Sequence, residues 1–128
     1  MSIAILMVLV AALLGPVTGA LAKAGGEGFD NRAPRSWLEA QTGWRKRAEW
    51  AQRNHVEAFA PFGIAVALAL ASGALARQVD FLALGFVGAR VVYTAFYLAN
   101  LATLRSIAWS IGVVLTVTLL VVAARAYG

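Results

Sequence analysis

Gln52, Arg53, Asn54 and Glu57 lie within one six-residue stretch of RAEWAQRNHVEAFAPF, residues 47–62, a segment that begins charged and ends apolar. A second polar set, Arg90, Tyr93, Tyr97 and Asn100, recurs at i+3, i+7 and i+10 and therefore shares one face of a helix. If the two faces meet, they form a pocket lined by amides, a carboxylate, phenols and guanidiniums. Such a pocket suits a small zwitterion. Glu57 would take an amine, Arg53 and Arg90 would take carboxylates, and Tyr93 and Tyr97 would donate their hydroxyls. Arg105 and Ser106 open the next apolar block with a cation and a hydroxyl. A fixed positive charge there would stabilise an anion such as a thiolate.

Each feature also has a plainer reading. Arg90 lies in the middle of an apolar block, and an arginine at the bilayer midplane costs roughly 2.5–3.5 kcal/mol on insertion scales, so it must face inward and find a partner. Glu57 is the leading partner on sequence, which makes Arg90–Glu57 a structural clamp between helices. Asp80 is placed at the opposite mouth. Tyr93 and Tyr97 also fit an interfacial aromatic belt, Arg105 a charge-bias signal, and His55 an interfacial polar residue. Other chemistries are excluded. The chain has no cysteine and one histidine, so thiolate metal sites and an HExxH site are absent, and no metal is expected. HVE, residues 55–57, matches half of a zinc deaminase signature whose cysteine half is missing. AGGEG lacks the Lys-Ser/Thr of a phosphate loop.

The elements that must position these residues are membrane helices. Of 128 residues, 61% are hydrophobic and 13% charged, more apolar material than a water-soluble domain of this size can hide. The apolar residues come in blocks. Met1–Ala22, Ala58–Ala76 and Ser106–Ala124 carry no charged side chain, and Phe81–Leu104 carries only Arg90. Each block approaches the roughly 20 residues needed to cross a bilayer. The prediction is an all-α, up-down bundle of four membrane helices over about 2–22, 43–76, 80–100 and 105–126, in one domain spanning 1–128, with a loop at 23–42. The first block lacks the basic n-region of a cleaved secretory signal. Gly15–Pro16 should kink the first helix without ending it. In the loop, Pro34 precedes a capping box from Ser36 to Glu39, Trp37 and Leu38 suit a membrane interface, and Thr42 is placed to cap the second helix. Small residues at four-residue spacing (Gly63, Ala67, Ala71; Ala65, Ala69, Gly73; Gly85, Ala89) predict close helix packing.

The net charge of +5 reflects topology rather than nucleic-acid binding. Lys23, Arg32, Arg35, Arg45, Lys46, Arg47, Arg53 and Arg105 fall beside the first and third loops, and only Arg77 and Arg125 fall opposite. The positive-inside bias then places loops 1 and 3 in the cytoplasm and both termini outside, with loop 1 near anionic lipid.

The segment RAEWAQRNHVEAFAPF together with GARVVYTAFYLANLATLRS, residues 88–106, resembles the MAPEG family, the membrane-associated proteins in eicosanoid and glutathione metabolism. The second-helix pattern R-A-x-R-A-x-x-N-x-x-E with a following Pro and Phe is met by Arg47, Ala48, Ala51, Asn54, Glu57, Pro61 and Phe62. The third-helix pattern is met by Arg90, Tyr93 and Tyr97, and the basic opening of the fourth helix by Arg105. FDNRAPR, residues 29–35, is closer to the bacterial, mostly uncharacterised branch, which implies a bacterial inner membrane. The resemblance implies a homotrimer with glutathione bound between subunits near the cytoplasmic face, as co-substrate for lipophilic electrophiles or hydroperoxides. It assigns Gln52, Asn54, Glu57, Tyr93 and Tyr97 to the glutathione site, Arg53 to a basic position found in some members, and Arg105 to thiolate stabilisation. Trp50 departs from the pattern, standing where the motif has its second arginine and removing a carboxylate ligand. Two readings stay open: a glutathione-dependent transferase or peroxidase, and a non-catalytic membrane protein whose Arg90/Glu57 cluster fixes packing or binds another small ligand or lipid.

Overall fold

The computed structural model describes residues 2–128, and among these every regular element is helical. Helix α1 spans Ile3–Lys23, a short α2 spans Pro34–Glu39, α3 spans Gly43–Ala71, α4 spans Ala76–Leu98 and α5 spans Ala102–Tyr127. The four long helices are long and apolar enough to cross a membrane. They form one antiparallel bundle in which α3 packs against α1, α4 and α5 and also carries α2 on its N-terminal end.

The packing follows from side-chain size. The buried face of α1 is Ala4, Ala11, Gly15, Thr18, Gly19 and Ala22, a stripe of small residues that admits α3 closely. At Gly19 even a methyl group would meet the Gln52 side chain at 2.6 Å. In mid-bundle, Phe62 of α3 stacks on Phe86 of α4, with ring centroids 3.8 Å apart. Ala65, Ala69 and Ala83 fill the space around this pair. At the far end, Asp80 of α4 accepts a 2.7 Å hydrogen bond from the Ala4 amide and so caps the N-terminus of α1. An anion there also suits the helix dipole.

Helix ends differ from the sequence expectation for local reasons. The second membrane helix stops at Ala71, not Ala76, because Gly73 takes a left-handed φ of 76°. Ala74 N then donates to Ala69 O in a glycine C-terminal motif. The third stops at Leu98 because Asn100 adopts φ 60° and Leu101 N donates to Phe96 O. Asn100 is thus a helix terminator, not a continuation of the polar face. Helix α2 begins at Pro34 with Ala33 as its N-cap, so Ser36 lies inside the helix and forms no capping box. Thr42 is the N-cap of α3 by backbone position, but its side chain makes no capping bond. Helix α1 continues through Pro16.

Three consecutive basic residues hold the opposite end together. Arg45 Nη1 donates to Ala22 O and Ala24 O at the end of α1, at 2.9 and 2.8 Å. Lys46 Nζ reaches Leu38 O and Glu39 O at the end of α2. Arg47 donates through Nε to Tyr97 O and through Nη2 to Leu98 O at the end of α4, both at 3.1 Å. Successive helical residues point about 100° apart, so this triplet meets the orphan carbonyls of three different helices. Cations at helix C-termini also complement the dipole. Arg47→Ala is therefore expected to cost roughly 2 kcal/mol, as a charged donor lost from two carbonyls. Detergent-phase unfolding would measure this, and a loss below about 0.5 kcal/mol, the level of an ordinary surface substitution, would contradict it.

Candidate functional site

Arg90 is 2% exposed and sits where α3 and α4 cross. Its partner is not Glu57. Arg90 Nη2 donates to Asn54 Oδ1 at 2.9 Å, and Arg90 Nε and Nη2 approach His55 Nδ1 at 3.2 and 2.9 Å. The guanidinium also lies over the Tyr93 ring, 4.2 Å from its centroid. Neutral acceptors and a π-face thus satisfy the buried cation. Glu57 is reached one bond further on, since Asn54 Nδ2 donates to Glu57 Oε2 at 3.3 Å. The physical reason is the helical wheel. Asn54 and His55 face α4, whereas Glu57 turns outward and is exposed.

His55, expected at the membrane interface, is instead 2% exposed. Its Nε2 lies 2.7 Å from Thr94 Oγ1, and Thr94 in turn donates to Arg90 O at 2.9 Å. The His55 ring meets Tyr93 edge-on at 5.8 Å between centroids. Ala51 and Phe62 share the buried side of α3 with His55, which is the sequence signal that would have placed it inward.

The predicted site residues divide between two cavities rather than lining one. Gln52, Arg53 and Glu57 border a 540 Å³ cleft between α2 and α3, together with Arg35 and Glu39 of α2. Tyr93, Tyr97, Arg105 and Ser106 border a separate 220 Å³ cavity between α4 and α5, which Trp109 also lines. Arg90 borders neither of these but a third, apolar cavity of 140 Å³ lined by residues of α3, α4 and α5. Ala51 of α3, Tyr93 of α4 and Ala108 of α5 pack into one buried cluster beside the second cavity.

The first cleft carries both signs of charge. Its cations are Arg35 and Arg53, and its acids are Glu39, Glu49 and Glu57. Arg53 Nη2 donates to Glu49 Oε1 at 2.6 Å, and Lys46 Nζ forms an ion pair with Glu49 Oε2 at 2.8 Å. Glu49 is buried, so this double pairing anchors the base of the Arg53 side chain's cleft wall while the Arg53 side chain stays 62% exposed. Arg35, Glu39 and Glu49 were not assigned to the site from sequence. Arg35 and Glu39 come from an isolated short helix, whose docking no periodicity in α3 reveals.

The second cavity is an aromatic wall with one cation. Tyr93 and Tyr97 meet edge-to-face at 5.4 Å, and the Arg105 guanidinium lies 4.6 Å from the Tyr97 ring centroid. Trp50 packs beside Tyr97 at 6.4 Å. The residue replacing the motif arginine therefore lies on the Tyr97 side and adds no charge to the α2–α3 cleft. Among the described residues no group of His, Asp and Glu is arranged to hold a metal.

Together these features define an integral membrane bundle of four spanning helices with an elaborated polar end. The chain belongs to the MAPEG family, whose family model matches residues 1–125. No curated protein and no solved structure matches it.

Proposed function

We propose that this protein is a glutathione-dependent transferase or peroxidase acting on lipophilic electrophiles or hydroperoxides. The observation that carries the reading is the α2–α3 cleft of mixed charge at the polar end of a MAPEG bundle. Glutathione offers one ammonium, two carboxylates and a thiol. Glu57 and Glu39 suit the ammonium, and Arg53 and Arg35 suit the carboxylates. Gln52 and Asn54 add amide contacts. The thiol belongs with Arg105, whose permanent charge stabilises the thiolate while Tyr93, Tyr97 and Ser106 offer hydroxyls. In conjugation the thiolate sulfur bonds the electrophilic carbon and the leaving group departs with the electron pair.

Charge cleft and thiolate cavity lie on different sides of one protomer, which supports a site shared between neighbouring copies, most simply in a homotrimer. One copy would supply Gln52, Arg53 and Glu57, and its neighbour Tyr93, Tyr97 and Arg105. The charge bias favours both termini outside and loops 1 and 3 in the cytoplasm of a bacterial inner membrane, where the site meets cytosolic glutathione. Lipophilic substrate would arrive through the bilayer.

Glu57→Gln tests the reading. Glu57 is exposed and bonds only Asn54, so the variant should keep its unfolding midpoint. Loss of a charged contact should weaken glutathione binding roughly tenfold or more. In the non-catalytic reading, the same change would lower the stability of the assembly and leave no glutathione binding to lose.

A further inference from the structure

The hydrogen bonds around His55 have only one consistent set of directions. Thr94 Oγ1 donates its single proton to Arg90 O at 2.9 Å, so it can only accept from His55 Nε2 at 2.7 Å. His55 therefore carries its proton on Nε2. Its Nδ1 lone pair is left to accept from Arg90. Arg90, a permanent donor, then fixes Asn54 with Oδ1 inward. The Asn54 amide nitrogen is thereby turned toward Glu57 Oε2. A directed chain runs from a hydroxyl in the bundle to a carboxylate on its surface: Thr94, His55, Arg90, Asn54, Glu57.

We propose that His55 and Thr94 are positioning residues that set the orientation of the Asn54 amide and Glu57 carboxylate through Arg90, without touching ligand themselves. The proposal rests on the glutathione reading for its ligand but not for its geometry. Thr94 acts at the greatest remove. Its hydroxyl selects the imidazole tautomer, and the tautomer decides whether Arg90 meets a lone pair or an N–H. In the opposite tautomer, Nδ1–H faces the guanidinium donors, Arg90 loses its imidazole acceptor, and the guanidinium that orients the Asn54 amide is no longer held in place. Two α4–α3 contacts with no part in ligand contact would thus govern the polarity of the exposed site.

His55 is the only histidine in the chain, so ¹⁵N-histidine labelling reads a single imidazole. Thr94→Val preserves shape and removes the hydroxyl, while Thr94→Ser keeps it. The wild type and Thr94→Ser should show protonated Nε2 and bare Nδ1 in the ¹⁵N spectrum. Thr94→Val should shift the proton toward Nδ1, speed exchange of the Asn54 side-chain amide, and weaken glutathione binding roughly tenfold. A second pair acts at the ring. Asparagine places its oxygen as many bonds from Cβ as Nδ1, whereas the polar atoms of glutamine lie as far out as Nε2. His55→Asn should therefore retain Asn54 amide protection and binding, and His55→Gln should lose both, although each removes the same ring from the core.

A purely structural role predicts equal losses in His55→Asn and His55→Gln, and that result would overturn the proposal. So would a Thr94→Val protein that changes tautomer with Asn54 exchange unmoved, or one that keeps the Nε2 proton. If the wild type binds no glutathione, the proposed function fails by itself, and the Asn54 exchange rates still decide whether the positioning chain exists.

Discussion

Arg90→Met is expected to destabilise the bundle by roughly 3 kcal/mol, the largest stability effect of any single substitution considered. Individual interhelical hydrogen bonds in membrane proteins average only about 0.6 kcal/mol, because the unfolded reference also finds partners. Arg90 exceeds that scale for two reasons. Its bonds are charge-assisted, and its removal strands His55 Nδ1 and Asn54 Oδ1, each unsatisfied acceptor costing about 1–3 kcal/mol where water is absent. Asn54 is only partly buried, so water can offset its share. Methionine roughly fills the volume, which keeps a cavity from confusing the result. Arg90→Lys should recover little, since an ammonium cannot reproduce the planar fork that meets two acceptors and lies over the Tyr93 ring. Reversible unfolding in detergent micelles checks both variants. A loss under about 1 kcal/mol for Arg90→Met would mean that the network contributes no more than ordinary membrane hydrogen bonds.

Arg105→Ala carries the largest expected effect on activity. If Arg105 stabilises the glutathione thiolate, its removal deletes a preorganised charge at the developing reaction centre, a change worth roughly a hundredfold or more in turnover. Arg105 makes no ion pair with a carboxylate among the described residues, and its ordered contact is the Tyr97 ring. The fold should therefore survive. The expected signature is a low kcat with KM for glutathione little changed, together with loss of the thiolate absorbance from the bound complex. Arg105→Lys should restore part of the rate. An Arg105→Ala enzyme with full turnover would remove Arg105 from the chemistry and leave it as a topological charge.

The spanning helices were legible from apolar blocks carrying at most one charge, because a bilayer imposes length and polarity on any segment that crosses it. Their ends were less so. Gly73 and Asn100 stop α3 and α4 through left-handed backbone, and small polar or glycine residues inside apolar runs read equally well as packing positions. The candidate site was legible as a set of residues and not as an arrangement. Gln52, Arg53 and Glu57 were expected to share one pocket with Tyr93 and Tyr97, whereas they border a different cavity, because that division depends on which side of α3 meets α4. Arg90 was recognised as a buried charge in need of partners. Its pairing with Glu57 was wrong because opposite charge dominated the choice, when a neutral imidazole and amide sat closer on the wheel. The Arg45-Lys46-Arg47 triplet shows a related limit. In the sequence it reads only as part of a charge bias, and its three separate carbonyl targets exist only once α1, α2 and α4 have been brought to one end of the bundle.

The most direct measurement is calorimetric titration of reduced glutathione into the detergent-purified protein, followed by ultraviolet difference spectroscopy of the complex. The proposed function predicts saturable binding, a thiolate band in the bound state, and binding weakened roughly tenfold or more in Glu57→Gln. Absence of heat and of a thiolate band at millimolar glutathione, about the weakest affinity of functional interest at roughly 4 kcal/mol, would contradict it. Trp50, standing where the family motif has arginine, would then mark a MAPEG bundle whose polar end serves another ligand.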